Sequence, residues 1–338
     1  MKAWIAARAG QPKEILELRT NWPTPAPPKT GEVMIRVSYV ALNPGDIKLM
    51  SMKIPCKKNA IPGMDFVGEV IQAGPPSSTS PPALRVGMIV AGAVPMSNIL
   101  RGAGVLAEYV VLPAHVAVEK PEGLEESVAA GLLGVAGQTN AVLLRAADLH
   151  KGDRVLVNGA SGGVGCLSIQ VLRGMDVHVT GICSARNEAL VRRLGAEEVV
   201  DYTAHENLYD FLSMTATSGN RPFDVIIDCV GNEALYHRSP AYLKPAGRFL
   251  SIVAGPFGLF QQFKFNHWPV MFGGIPQTFM SLFSKPSGSS AKEVVGFLEK
   301  GWIKEVPVDS TFEMSDALQA FEKLETKRAV GKIFVKVK

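Results

Sequence analysis

The chain changes from a short apolar run to a glycine-rich run at residues 153–165, which read Asp-Arg-Val-Leu-Val-Asn-Gly-Ala-Ser-Gly-Gly-Val-Gly. The apolar part, Val155 to Val157, is typical of a strand that is buried on both faces of a sheet. Gly159, Gly162 and Gly165 then recur at every third position, which predicts a tight turn and a closely packed helix start. The stretch therefore predicts a strand, a turn and a helix in direct succession.

The residues that follow complete a βαβ unit of the length that dinucleotide-binding proteins use. Apolar residues with helical spacing occupy 167–172, and a second strand is expected at 177–180. A glycine turn between a strand and a helix can direct backbone N–H groups toward a bound pyrophosphate. The alternative interpretation is that this turn has a structural role and binds no ligand. We predict that four residues of the turn contact the phosphates of a dinucleotide: Ser161, Gly162, Gly163 and Val164.

The composition is that of a globular protein with more than one core. The chain has 338 residues, of which 47% are hydrophobic and 20% are charged. The net charge is +4, but basic residues form only isolated pairs such as Lys57-Lys58 and Arg192-Arg193, so a nucleic-acid surface is not indicated. The four cysteines are far apart, which favours reduced thiols in a cytoplasmic protein. We expect neither a secretion signal nor a transmembrane span.

Strand and helix patterns divide the chain into a β-rich part and an alternating part. Residues 1–120 contain short β-type runs, such as 32–40 and 68–72, and a proline- and serine-rich surface loop at 74–82. From about residue 121, strands alternate with helices, which predicts an α/β domain with a doubly wound parallel sheet. Strands of this sheet are expected at 153–157, 177–181, 198–201, 225–229 and 248–253.

Several short motifs occur in a fixed order along nearly the whole chain. They are Asn43-Pro44-Gly45-Asp46, Gly63 to Val70, Ala107-Glu108-Tyr109, the glycine turn, and Gly331-Lys332-Ile333. In this order they resemble the zinc-independent branch of the medium-chain dehydrogenase/reductase superfamily, which contains quinone oxidoreductases and enoyl or alkenal reductases.

The resemblance implies a split catalytic domain. In that family a GroES-like β-barrel is re-entered by the C-terminal end of the chain, and a Rossmann cofactor domain is inserted between the two parts. We therefore expect the catalytic domain at residues 1–120 and 286–338, and the NADPH-binding Rossmann domain at 121–285.

The end of the second strand of the βαβ unit distinguishes NAD from NADP. An acidic residue there would bind the ribose 2′-OH and repel a 2′-phosphate. Here the strand is followed by Ser184-Ala185-Arg186-Asn187, and no acid occurs before Glu188. Arg186 can pair with a phosphate through two parallel N–H bonds and Ser184 can donate a third, so we predict NADPH. The alternative is that Arg186 is an ordinary solvated helix residue.

The remaining site residues are implied by the resemblance alone. It places Asn43 and Thr139 near the nicotinamide and Tyr202 on the adenosine side, and it places three residues beside the carboxamide: Val230, Ile252 and Val253. Relatives often carry a tyrosine soon after the Asn-Pro motif, but residues 47–52 contain none. Lys48 is then the candidate proton donor beside Asn43, and the cofactor ribose hydroxyl or water is the alternative.

The positions of the zinc ligands are occupied by other residue types. Zinc-dependent relatives carry a histidine at the position of Met64 and a cysteine at that of Asn43. Neither methionine nor asparagine is a useful zinc ligand. The stretch 92–105, where those relatives bind structural zinc, contains no cysteine. We therefore expect no metal in the reaction.

Hydride transfer without a metal favours an acceptor that disperses charge by itself. We expect reduction of a small apolar enone, enoyl compound or quinone. Phenylalanine and methionine are frequent in residues 257–283, and these side chains can line an apolar pocket, pack in an ordinary core, cover a homodimer interface or contact a membrane. Three other function classes stay open: a non-catalytic crystallin-like NADPH-binding protein, a reductase that works on a membrane-borne or carrier-borne lipid, and a metal-free ketoreductase.

Overall fold

The computed structural model describes residues 1–52, 59–77, 84–218, 221–253 and 258–338. The pair Lys57-Lys58, residues 78–82 of the predicted surface loop, and Phe257 lie outside these ranges. The strands are β1 Ala3–Ala6, β2 Leu16–Arg19, β3 Glu32–Leu42, β4 Asp65–Ala73, β5 Ile89–Ala93, β6 Tyr109–Pro113, β7 Ala117–Glu119, β8 Arg154–Asn158, β9 His178–Cys183, β10 Glu198–Asp201, β11 Phe223–Asp228, β12 Leu243–Ser251, β13 Thr278–Ser281, β14 Val308–Glu313 and β15 Lys332–Lys336. The helices are α1 Pro12–Ile15, α2 Pro44–Ser51, α3 Met96–Leu100, α4 Glu126–Leu133, α5 Val135–Ala147, α6 Gly163–Gly174, α7 Glu188–Arg193, α8 Leu208–Ser218, α9 Glu233–His237, α10 Gly258–His267, α11 Gly288–Glu299 and α12 Ala317–Glu325.

One compact unit is β-rich and contains Met1–Gln138, Lys285–Gly296 and Val306–Lys338. Its larger sheet has the strand order β14-β15-β3-β4-β5-β7, and β6 also pairs with β3. The last strand of the chain returns to this sheet, because β15 pairs antiparallel with β3 and brings Phe334 opposite Ala41. The C-terminal end of the chain therefore belongs to the same unit as the N-terminal third.

The helix α4 packs against the strands of this β-rich unit. Its buried residues run from Ala129 to Leu133, and a Cβ on Gly131 would lie 3.0 Å from the Phe334 ring. The unit therefore extends to Gln138, whereas the sequence placed its boundary at residue 120. Helical spacing shows that a helix has an apolar face, but not which sheet that face covers.

The second unit contains Thr139–Ser284 and Phe297–Glu305. Its described strands form a parallel sheet in the order β10-β9-β8-β11-β12-β13. Val155, Leu156 and Val157 in the central strand β8 are fully buried, as their apolar run predicts. The order reverses between β8 and β11, and doubly wound sheets bind ligands at the carboxyl ends of the strands at such a switch point. This sheet and the β-rich unit confirm the predicted fold class.

Glu126–Ala147 is, among the described residues, the one stretch with the length and apolarity of a membrane span. Of its most apolar window, 72% is buried inside the protein. The stretch is also divided, because α4 ends at Leu133 and α5 begins at Val135. These properties are those of core helices.

The aromatic-rich stretch after β12 forms helix α10 and the edge strand β13. Side-chain amides of α10 bind the outer backbone groups of this strand. Asn266 Nδ2 donates to Phe279 O (2.9 Å) and Phe279 N donates to Asn266 Oδ1 (2.8 Å). Ser281 N donates to Gln262 Oε1 (2.9 Å). The helix thus satisfies edge groups that would otherwise be open to another strand.

Candidate active site

The glycine turn joins the carboxyl end of β8 to the start of α6. Gly159 has a φ of +80°, a conformation that favours glycine. A Cβ on Gly165 would lie 2.3 Å from Gly159 O, so the turn and the helix can approach only without a side chain there. Helix α6 begins at Gly163 and its N-cap is Gly162, so the N-cap position has no side chain. This cradle fits the pyrophosphate of a dinucleotide, which the helix N-terminus attracts.

The end of β9 lies beside this turn. Asn187 Nδ2 donates to Ser161 Oγ (2.9 Å) and to Ser184 Oγ (3.4 Å). The structure therefore brings together two residues that the sequence assigned separately, one to the pyrophosphate and one to the 2′-phosphate. Arg186 is exposed in the same short 3₁₀ turn, Ala185–Asn187. Sequence analysis gave no role to Asn187, although it follows Ser184 by only three residues.

A buried carboxylate shapes the turn after β11. Asp228 accepts backbone N–H bonds from Val230 (3.0 Å), Gly231 (3.1 Å) and Asn232 (2.8 Å). It also accepts a bond from Asn158 Nδ2 (2.9 Å), at the end of the neighbouring strand β8. Sequence analysis missed this residue as well. The bonds fix the loop at the carboxyl edge of the sheet, next to the glycine turn.

The residues that the resemblance placed around the nicotinamide carboxamide lie at this edge. Val230 is 58% exposed, and its Cγ2 would lie 2.9 Å from a Cβ on Gly159. Val253 lies against Gly231, where an added Cβ would be 3.0 Å from its Cγ1. Tyr202 follows β10 and is 54% exposed. All of these residues therefore follow the carboxyl ends of strands in one sheet.

Thr139 and Ile252 also belong to the unit that contains the parallel sheet. Thr139 is 6% exposed. The next residue, Asn140, donates to Val164 O (3.3 Å) through its Nδ2 and accepts from Ser168 Oγ (2.6 Å), which ties this part of α5 to the first turns of α6. Ile252 N donates to Asp228 O (3.2 Å) and thereby extends the bonding between β12 and β11.

Asn43 lies in the β-rich unit, in a buried polar network. Lys332 Nζ donates to Asn43 Oδ1 (2.8 Å) and to Leu42 O (3.0 Å), and Asn43 Nδ2 donates to Asp65 Oδ2 (2.9 Å). The Asp65 carboxylate also lies 3.5 Å from Lys332 Nζ and accepts the Val135 N–H at 2.8 Å. The Asn43 amide is therefore held by protein partners, which suits a positioning role better than proton donation.

Asp46 extends this network from the first turn of α2. Its Oδ2 accepts the Asn43 N–H (2.7 Å), and its buried Oδ1 has no hydrogen-bond partner among the described residues. Burial, assisted by the Asp65 charge, raises the pKa of Asp46 to about 7. Burial also raises the pKa of Asp65, against the opposing effect of Lys332. Lys48, the candidate proton donor, is instead exposed on α2.

Among the described residues, the positions of Asn43 and Met64 are not surrounded by a group of metal-binding side chains. Met64 is buried, and a Cβ on Gly45 would lie 3.1 Å from its Cε. In the described ranges, no three or more His, Cys, Asp or Glu side chains are grouped so that they could hold a metal ion. Cys183 is a free thiol whose pKa is raised by burial to about 11, so it is a poor metal ligand at neutral pH.

The chain is similar to known proteins along its full length. The family model of the alcohol dehydrogenase GroES-like domain matches residues 29–122, and that of a zinc-binding dehydrogenase matches 194–335. The medium chain reductase pydE of an Acremonium species is 34% identical over 100% of this chain and 99% of its own length. The trans-enoyl reductase poxH of Penicillium oxalicum is 32% identical, with 100% and 98% covered. The chain belongs to the medium-chain dehydrogenase/reductase superfamily.

Solved structures of this superfamily share the fold. A quinone oxidoreductase from Coxiella burnetii is 26% identical with a TM-score of 0.83, and 100% of this chain and 99% of that chain are covered. A mycobacterial protein solved in complex with NADPH is 24% identical with a TM-score of 0.82 and full coverage of both chains. Membership confirms the sequence resemblance and makes the chain an oxidoreductase.

Proposed function

We propose that this superfamily member is an NADPH-dependent reductase that transfers hydride to an activated carbon–carbon double bond or to a quinone. The observation that carries the proposal is the end of β9. Ser184 and the exposed Arg186 follow the strand without an intervening acid, and Asn187 links this segment to Ser161 in the phosphate turn. A carboxylate before Glu188 would repel a 2′-phosphate, whereas a guanidinium binds it with two N–H bonds.

The cofactor would be held by the unit that contains the parallel sheet, and the β-rich unit would be the catalytic domain. When bound, NADPH supplies the hydride. The residues of this unit proposed to hold it are Thr139, Ser161, Gly162, Gly163, Val164, Ser184, Arg186, Tyr202, Val230, Ile252 and Val253. Asn187 and Asp228 would position the phosphate turn and the loop after β11 through the hydrogen bonds described above.

The acceptor class is supported by the names of the relatives and by the chemistry of conjugated acceptors. Relatives of this chain are named as trans-enoyl reductases, and a structural neighbour as a quinone oxidoreductase. A conjugated acceptor disperses the developing charge over its own π-system, so it needs less electrophilic assistance than an isolated ketone. The Lys332 and Asp65 side chains would hold Asn43 in place, while Lys48, a ribose hydroxyl or water would deliver the proton. We propose a small-molecule substrate and a cytoplasmic location.

A panel of acceptors tests the proposal with the full chain. NADPH and NADH oxidation would be followed with an enone, a trans-2-enal, a quinone, and a saturated ketone of the same size. We expect turnover of at least one conjugated acceptor, a preference for NADPH, and no turnover of the saturated ketone. Equal use of NADH and NADPH would contradict the cofactor assignment, and reduction of the saturated ketone alone would contradict the acceptor class.

A further inference from the structure

Helix α10 and the turn that follows it expose several large apolar side chains to solvent. Six of these side chains, here called the α10 face, are each at least 60% exposed: Leu259, Phe260, Phe263, Val270, Met271 and Phe272. Folded domains rarely leave so many large apolar residues together on the surface unless they bind something.

A cavity of about 640 Å³ opens between α9 and α10, next to this face. Its lining includes the aromatic side chains of Tyr236, Phe260, Phe265 and Trp268. Trp268 Nε1 donates to Phe272 O (2.9 Å), and this bond orients the ring. Pockets for small molecules have volumes of roughly 300–1,000 Å³, so this cavity has a suitable size for a ligand, and its walls combine aromatic with polar side chains.

Two basic side chains of the cavity offer N–H donors for an anion. Lys264 and His237 line it, together with one acid, Glu233, whose Oε1 already accepts a bond from Gln261 Nε2 (2.8 Å). Lys264 Nζ has no ion-pair or hydrogen-bond partner in the part of the chain that the structure describes. No Asp or Glu occurs in the sequence between Glu233 and Glu293, so α10 carries no carboxylate of its own, and Glu233 is the acid that lines the cavity.

The bonds between α10 and the sheet argue against a second copy of the chain that would join by extension of this sheet. The amides of Asn266 and Gln262 bind Phe279 and Ser281 on the outer edge of β13. Another strand could extend the sheet there only by displacing these bonds. The same bonds hold α10 in place as one wall of the cavity.

We propose that this cavity binds an amphipathic carboxylate, that is, a molecule with an acyl or aromatic body and one anionic head. The head would pair with Lys264, and the body would lie against Phe260 and Trp268. None of the lining residues belongs to the proposed cofactor set, so this site does not depend on the proposed function.

Titration calorimetry with two ligands of equal chain length tests the charge and the apolar contact separately. Laurate and 1-dodecanol would be added to the full-length protein below their aggregation concentrations. We expect saturable 1:1 binding of laurate to the wild type. Lys264→Gln should raise the Kd for laurate about tenfold, equivalent to about 1.4 kcal/mol, and change the Kd for dodecanol less than twofold. Lys151→Gln, at a surface lysine paired with Asp176, is the matched control and should leave both unchanged.

A second variant and a vesicle-binding experiment distinguish a carboxylate ligand from other occupants of this surface. Trp268→Ala should weaken laurate and dodecanol to the same extent, and an unchanged thermal midpoint would show that each variant folds. Absence of saturable laurate binding, or an equal loss of dodecanol binding in Lys264→Gln, would overturn the proposal. Sedimentation with anionic phospholipid vesicles without binding of free laurate would overturn it in favour of a membrane contact. A dimer in gel filtration that Met271→Ser dissociates, again without laurate binding, would overturn it in favour of a subunit interface.

Discussion

Replacement of Asp46 by asparagine should remove a pH dependence of stability that the burial of this carboxyl group creates. Its pKa is about 7 in the folded chain, compared with an ordinary value of 3.8. Because the folded state holds the proton more tightly, the stabilising contribution is complete below pH 3.8 and is lost as the pH rises through 7. A difference of about 3 pKa units at 1.36 kcal/mol each gives about 4 kcal/mol.

Asparagine mimics the protonated carboxyl group. It keeps an oxygen for the Asn43 N–H, which the carboxylate accepts at 2.7 Å, and it does not titrate. We expect the free energy of unfolding of the variant, relative to the wild type, to rise by about 4 kcal/mol between pH 4 and pH 8. Most of the change should fall between pH 4 and pH 7, at about 1.4 kcal/mol per pH unit.

Denaturant unfolding at five pH values from 4 to 8 measures this difference. Asp176→Asn is the matched control, because this carboxylate is exposed and pairs with a surface lysine, Lys151. The control should follow the wild type at every pH. Parallel curves for Asp46→Asn and the wild type, within 1 kcal/mol over the whole range, would refute the argument that burial holds a proton on Asp46.

Three further predictions concern the cofactor turn and the metal. Arg186→Ala should lower kcat/KM for NADPH by about 10- to 150-fold, because it removes a charge-assisted contact of roughly 1.5–3 kcal/mol. The kcat/KM for NADH should not change. Steady-state kinetics measures both values, with Arg193→Ala as the control. Gly165→Ala should abolish cofactor binding, because its Cβ would lie 2.3 Å from Gly159 O, whereas Gly296→Ala, with nothing within 4 Å, should bind normally in a fluorescence titration. Chelation should leave activity intact and elemental analysis should find no stoichiometric zinc, and loss of activity that zinc restores would contradict this.

Local sequence patterns predicted the parallel sheet and its ligand-binding edge well. The run from Val155 to Val157 and the three glycines that follow are each close in sequence, and such patterns report burial and turn geometry directly. The observed β8, β9 and β10 accordingly fall within two residues of their predicted positions. The preference for NADPH was likewise predicted from four consecutive residues after β9, none of which is acidic.

The buried network around Asn43 could not be predicted in the same way. Its members lie in separate motifs, and Lys332 is 289 residues from Asn43 and 267 from Asp65. No periodicity relates residues so far apart, and the pairing of β15 with β3 and of β3 with β4 brings them together. The quoted motifs contained Asp46, Asp65 and Lys332, and this was the available signal.

Helix α10 shows a different limit of sequence interpretation. Density of phenylalanine and methionine predicted apolar contact but did not distinguish a core from a surface. In the structure only Gly258 and Phe265 of this helix are buried. The amides of Gln262 and Asn266, rather than its aromatic residues, bind the edge of the sheet. Polar anchoring of this kind leaves the apolar side chains exposed and has no hydrophobic period that a sequence would display.

The central claim is that the chain moves hydride from NADPH to the β-carbon of a conjugated acceptor. The most direct measurement is product analysis by NMR after turnover of an enone with NADPH that carries deuterium at the transferable position. The account predicts deuterium on the β-carbon of a saturated carbonyl product. Deuterium on a carbinol carbon, with the double bond intact, would contradict it and identify carbonyl reduction instead.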